Sequence, residues 1–155
     1  RKRYTALLEQ VGLEDKLDEH PFDLTSTEKK FCTVASIIMM DPEALVFDEP
    51  TCGQDVEGNK RLRDIVTALK ERGKLCITIS HDMKFVVENF ERVVMCRGRV
   101  LVDGPAAEVF AQTELLKQSF VSPPPIARVA QGAGLDTVFT VDAFMKSFEK
   151  AVKRA

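Results

Sequence analysis

Two adjacent carboxylates, Asp48 and Glu49, end the apolar run ALVF at 44–47 and lead into Pro50, with a further acid, Asp55, after a Gly-containing stretch. A buried run does not usually end on two uncompensated negative charges, so the pair calls for a positive partner. If the run is a strand of a parallel sheet, the acids lie at its carboxyl edge, where open α/β sheets bind ligands. Mg2+ is the fitting cation there, because it takes one or two carboxylates and completes its shell with water and phosphate oxygens. Asp48 is then the candidate metal ligand, and Glu49 the candidate base that polarises water toward a terminal phosphate. For the dipeptide alone, the reading in which both acids cap or solvate a loop is the stronger one. A second apolar run, LCITIS at 75–80, ends on His81. A lone histidine after a strand is usually incidental, and His20, in a polar stretch, reads as a loop residue.

These residues need a frame. Tyr4, Leu7, Leu8 and Val11 recur at helical spacing and stop at Gly12. A polar loop, EDKLDEHPFDLTST at 14–27, leads to a second helix with Phe31, Val34, Ala35 and Ile38 on its buried face, ended by Asp41 and Pro42. A short strand at 44–47 follows. Leu62, Ile65, Val66 and Leu69 mark a third helix closed by Gly73. LCITIS is continuously apolar, as strands covered on both faces of a parallel sheet are. Met83, Val86, Val87 and Phe90 predict another helix, and RVVMCRGRVLVDG at 92–104 predicts two strands about a turn at Arg97 and Gly98. The alternation of strand and helix is that of an α/β fold with a mainly parallel sheet.

Beyond it, Pro105 suits the first turn of a helix through Phe110, and Leu115, Leu116 and Phe120 suggest one more. SPPPI at 122–126 reads as a stiff extended connector. Thr140 is placed to cap a last helix whose Phe144, Phe148 and Val152 face a partner. The expected division is therefore 1–122 and a small helical extension, 123–155.

The 155 residues suffice for one compact domain with an appendage, and 45% apolar with 30% charged residues is ordinary globular composition. No apolar run approaches the roughly 20 residues of a membrane-spanning helix. A net charge of -2 argues against a surface that tracks nucleic-acid phosphates. Cys32, Cys52, Cys76 and Cys96 have no paired spacing, and only two His accompany them, so reduced thiols of a cytosolic protein are expected rather than zinc. The opening RKRYTALLEQ has neither Met nor a signal-like stretch, which predicts a piece of a longer chain.

With the frame in place, LVFDEPTCGQD at 45–55 resembles the Walker B segment and D-loop of ABC transporter ATPases. ITISHD at 77–82 resembles the strand and switch histidine of the same family. The resemblance covers residues 1 to about 120, and the tail, with DGPAAEVF, ELL and PPPIARVA, is most similar to the energy-coupling-factor ATPases that drive cobalt, nickel and vitamin import. It implies a partial P-loop NTPase fold, ATP and Mg2+ as cofactors, and an ATPase as the parent protein. By the match, Asp48 meets the metal, Glu49 the attacking water, His81 the γ-phosphate, and Asp55 the opposite ATPase. The resemblance further implies a second ABC ATPase subunit and integral membrane transporter subunits as partners. It places the protein at the inner face of the membrane, with the C-terminal extension helping two ATPases pair.

Two departures stand out. No Gly-x-x-x-x-Gly-Lys-Ser/Thr phosphate cradle occurs in the sequence; the family places it upstream of Arg1. The family's LSGGQ signature, which caps the nucleotide of the other subunit, should end 20 residues before the Walker B Asp; counting back from Asp48 gives Glu28. Leu24, Thr25, Ser26, Thr27 and Glu28 occupy its places, with Cβ atoms at Ser26 and Thr27 where backbone must approach phosphate, and a carboxylate at Glu28. Phe31 replaces the usual Arg. The expectation is an ATPase whose defect falls on its partner's site, and hence a partner that differs from it. The competing expectation is a non-catalytic interaction module, which the altered signature favours and the intact Glu49 and His81 oppose. An ATPase of the DNA-repair type draws little support from the charge and none from the tail.

Overall fold

The computed structural model describes residues 2–135 and 138–153. They form two compact units, Arg1–Ser80 and His81–Ala155. The division expected at 122/123 falls inside the second.

In the first unit, α1 (Lys2–Val11) stops at Gly12, whose φ of 66° few other residues adopt without strain. A 3-10 turn (Glu14–Lys16) and a loop lead to α2 (Ser26–Met39), followed by β1 (Ala44–Asp48), α3 (Val56–Glu71) and β2 (Leu75–Ile79). β1 and β2 pair in parallel, in register from Ala44 opposite Leu75 to Asp48 opposite Ile79. The crossover helix α3 packs on β2 and on α1, and α1 packs on α2. Leu62, Ile65, Val66 and Leu69 form the buried stripe of α3, as their spacing requires, with Ile65 fully enclosed.

The strands differ from expectation. Leu45 and Phe47 are buried, but Val46 is 63%, Ile77 45% and Ile79 55% exposed, so one face of the pair is covered and the other open. A continuous apolar run does not by itself say which polypeptide covers its second face.

The second unit holds α4 (Met83–Asn89), β3 (Arg92–Cys96), β4 (Val100–Pro105), α5 (Ala106–Ala111), α6 (Thr113–Gln118), α7 (Pro125–Gly132) and α8 (Val141–Val152). β3 and β4 form an antiparallel hairpin turning at Gly98, with Arg92 bonded through both Nε and a terminal nitrogen to the Asp103 carboxylate at 2.8 and 2.7 Å. Its core is Met95, Val109, Phe110 and Leu116.

Several expected boundaries shift here. Phe90 lies just past α4, and Pro105 ends β4 and precedes α5 rather than lying within it. Phe120 is outside α6, 85% exposed, with a left-handed φ of 57°. The SPPPI segment is extended only as far as Pro124; Pro125 opens α7, because a proline at the first helical position loses no hydrogen bond. α8 forms as expected, Thr140 Oγ1 accepting from the Ala143 amide, with the Phe144 and Phe148 rings stacked 6.0 Å apart. Among the described residues, no helix is long and apolar enough to cross a membrane.

Candidate functional site

β1 delivers Asp48 to the carboxyl edge of the parallel pair, and the pairing continues one step further. The Glu49 amide donates to the Ile79 carbonyl at 2.8 Å, and the Ser80 hydroxyl donates to Glu49 Oε2 at 3.3 Å. Glu49 takes a φ of 44°, a left-handed conformation that costs a side-chain-bearing residue on the order of 1 kcal/mol and is held only where its surroundings impose it. The chain then doubles back, Cys52 N–H bonding to the Glu49 carbonyl at 3.1 Å, through Gly53 at φ 69°. Lys30 of α2 donates to the Cys52 carbonyl and ties the helix to this turn. A cleft of about 380 Å³ between α2 and β1 is walled by Val34, Ile37 and Phe47 and reaches Lys30, Asp48 and Glu49.

The donor set suits a hard cation. Asp48 is exposed and Glu49 half-buried beside it. Among the described residues no group of three or more His, Cys, Asp or Glu could hold a metal on its own. One or two carboxylates leave the rest of a Mg2+ shell to water and phosphate, so these residues fit Mg2+ brought with a nucleotide and suit a zinc site poorly.

Asp55 has a role that its motif does not suggest. It is the N-cap of α3, its Oδ1 accepting from the Gly58 amide at 2.7 Å. Gly58 is buried there, and a Cβ on it would lie 2.4 Å from Gln54 Oε1 and 3.2 Å from Asp55 Oδ1.

Residues 25–28 open α2, and the side chains of Thr25 and Glu28 turn back onto the helix. Thr25 Oγ1 accepts from the Glu28 amide at 3.2 Å, and the Glu28 carboxylate accepts from the Thr25 amide at 2.7 Å. This reciprocal capping box satisfies two of the amides that a helix N-terminus leaves unpaired. Lys16 Nζ stands 3.7 Å from the other Glu28 oxygen. Bonding from the Thr25 backbone and hydroxyl, with Lys16 adding attraction, holds the Glu28 carboxyl below its usual range. The negative charge expected to face a phosphate is thus folded back onto its own helix. Ser26 is exposed and Thr27 half-buried beside it. Phe31 is buried, and the Arg61 guanidinium of α3 lies 5.3 Å from its ring centre.

His81 follows Ser80 directly and begins the second unit; it is exposed, its carbonyl accepting from the Met83 amide at 3.1 Å. Asp82 caps α4 through the Phe85 amide at 3.1 Å. The first unit therefore brings Asp48, Glu49 and Ser80 to one sheet edge and places 25–28 at the start of α2, while His81 belongs to the second. The capping roles were readable: Thr25-x-x-Glu28 has the S/T-x-x-E form, and Asp before a helical stripe is a preferred cap. Ser80 gives no such signal.

No family model matches the chain. It is 41% identical over 157 aligned residues to a protein of Methanosarcina mazei provisionally named an ABC transporter ATP-binding protein, covering 97% of this chain and 26% of the relative. An energy-coupling factor transporter ATP-binding protein of Mycoplasmopsis synoviae is 38% identical, over 81% of this chain and 40% of its own length. One of Methanoculleus marisnigri is 34% identical, over 98% and 57%. Among solved structures, cbiO1 of Clostridium perfringens, part of an ABC transporter complex, superposes with a TM-score of 0.62 at 33% identity, covering 76% of this chain and 48% of that one. The chain thus spans from about a quarter to just over half the length of these relatives.

Proposed function

We propose a function that proceeds from one premise: the chain is a homologue of ABC transporter ATP-binding proteins, matched over 97% of its length, and has the α/β fold of part of an ABC ATPase. In this reading it supplies the Walker B strand, D-loop, switch histidine and signature-position helix of an ATP-hydrolysing subunit. The parent powers an importer of the energy-coupling-factor kind, for a metal ion or a vitamin. Residues 1–122 are the C-terminal half of the ATPase domain, and 123–155 the helical extension through which two ATPases pair. The subunit works against integral membrane partners at the inner membrane face, beside a second ATPase that differs from it.

The observation that carries the reading is Glu49, held in a left-handed backbone at the sheet edge by Ile79 and Ser80. Mg-ATP, when bound, supplies the terminal phosphate and a cation that neutralises its charge. Asp48, at the strand end, would hold that cation together with water and phosphate oxygens. Glu49 would orient the attacking water and take its proton, and His81, by the resemblance, would meet the γ-phosphate. The phosphate cradle comes from polypeptide beyond the present sequence, which contains none.

The competing reading, an interaction module without catalysis, is favoured by the closed capping box at Thr25 and Glu28. Calorimetric titration with MgATP separates the two. The 155-residue chain alone should give no micromolar isotherm, and a full-length protein carrying a phosphate loop should give one site per subunit. A tight isotherm from the chain alone contradicts the proposal, and a full-length protein that binds no nucleotide supports the module.

A further inference from the structure

We propose that Ser80 is a positioning residue for Glu49, orienting its carboxylate for water activation; this rests on the reading of Glu49 as the base. Glu49 is held at two places, by the last residue of β2 and by the residue that follows it. The Ile79 carbonyl receives its amide at 2.8 Å, and the Ser80 hydroxyl donates to its Oε2 at 3.3 Å. Parallel register makes this possible: Asp48 is opposite Ile79, so the next residues, Glu49 and Ser80, emerge side by side beyond the last ladder pair. The first bond sets the backbone, including its left-handed turn at φ 44°. A glutamate side chain still has three rotatable bonds beyond that point, and a general base works only when a lone pair points at the proton it takes.

A hydrogen bond to one carboxylate oxygen reduces that freedom. With Oε2 engaged, the range of orientations open to the carboxylate, and so to Oε1, is narrowed. Ser80 exchanges no proton in this scheme. Its hydroxyl donates to the ionised carboxylate, and the proton of the attacking water goes to Glu49. Ser80 therefore acts through Glu49 and need not touch nucleotide. A residue that merely ended the strand would have no reason to depend on its hydroxyl, and that difference is measurable.

The test is steady-state ATP turnover by the full-length protein, paired with nucleotide affinity. Ser80→Ala should lower kcat about tenfold, the scale of a lost hydrogen bond to a charged group, with KM and nucleotide affinity unchanged. Ser80→Thr, which keeps the hydroxyl, should stay within about twofold of the parent rate, and Ser80→Cys, similar in size but a weak donor, should fall between. In a Glu49→Gln background, Ser80→Ala should cost nothing further, because residues acting as a unit are not additive. A Ser80→Ala kcat equal to the parent's overturns the proposal. So does an equal loss with and without Glu49, or a Thr variant as slow as Ala. If Glu49→Gln itself turns over at the parent rate, the base assignment fails, and the proposal with it, a result distinct from the others.

Discussion

Asp55 offers a clean separation of folding from function, because its carboxylate does local work that its motif position does not suggest. Its Oδ1 accepts from the Gly58 amide at 2.7 Å at the start of α3, the helix that contributes Leu62, Ile65, Val66 and Leu69 to the core. Asp55→Ala leaves that amide unpaired, and loss of such a cap costs about 1 kcal/mol. In a chain of this size that corresponds to a fall in Tm of about 2–4 °C. Asp55→Asn keeps an oxygen in the same place, and Asn caps helices as well as Asp does. It gives up only the attraction of a negative charge for the helix N-terminus, at most about 1 kcal/mol and usually a few tenths at an exposed site. Urea and thermal unfolding followed by circular dichroism should therefore rank the parent and Asp55→Asn together, with Asp55→Ala clearly below. In the full-length protein Asp55→Asn should nonetheless lose turnover if the charge meets the opposite ATPase. An Asn variant as unstable as the Ala variant would refute the cap reasoning, since the oxygen at 2.7 Å would then not be what stabilises α3.

Three further outcomes are expected. Thr25→Ser, Ser26→Gly, Thr27→Gly and Glu28→Gln made together keep a capping box but remove two Cβ atoms and a charge. They should raise turnover at the partner's site, measured with Glu49→Gln silencing the other, and an unchanged rate would reject the steric and charge conflict. Asp103 is held below the ordinary carboxylate range by its bonds to Arg92, and Glu28 by those from Thr25. A depressed folded pKa stabilises above the unfolded value and is lost as pH falls through the folded one. Tm should thus fall as acidification protonates these carboxylates, less steeply in Asp103→Asn. Finally, the open face of β1 and β2 should drive self-association of the 155-residue chain, and Val46→Glu with Ile77→Lys, cross-strand partners, should reduce it in sedimentation velocity.

The elements carrying the site were legible because each has a local cause. Gly12, Gly73 and Gly98 sit at positive φ where the chain must stop or turn, and the α3 stripe has helical period. Asp48 and Glu49 stand out as adjacent acids ending an apolar run, but alone they favour a solvated loop; the resemblance of LVFDEPTCGQD to a Walker B segment is what points to a metal and a water there. What was not legible depends on partners distant in sequence. The exposure of Val46 and Ile77 reflects which strands lie beside them, not their own apolarity. The Ser80 contact needs the β1–β2 register, and a serine after a strand announces nothing. Phe120 and Pro125 differ from expectation for a local reason: spacing with Leu115 and Leu116 suggests a helix through the first, and proline suggests a break at the second, although a proline can begin a helix. The signature-position segment is located by counting, and its S/T-x-x-E form is itself a local sign of the capping box that Thr25 and Glu28 make.

The central claim is that the edge formed by Asp48 and Glu49 hydrolyses ATP, and Glu49→Gln in the full-length protein tests it most directly. The substitution keeps size and hydrogen-bonding capacity while removing the group that takes the proton of water. MgATP binding should be retained, and turnover at the site using Glu49 should fall at least about tenfold. Binding and turnover both unchanged would contradict the account and leave the chain as an ABC-fold module whose acids no longer do chemistry.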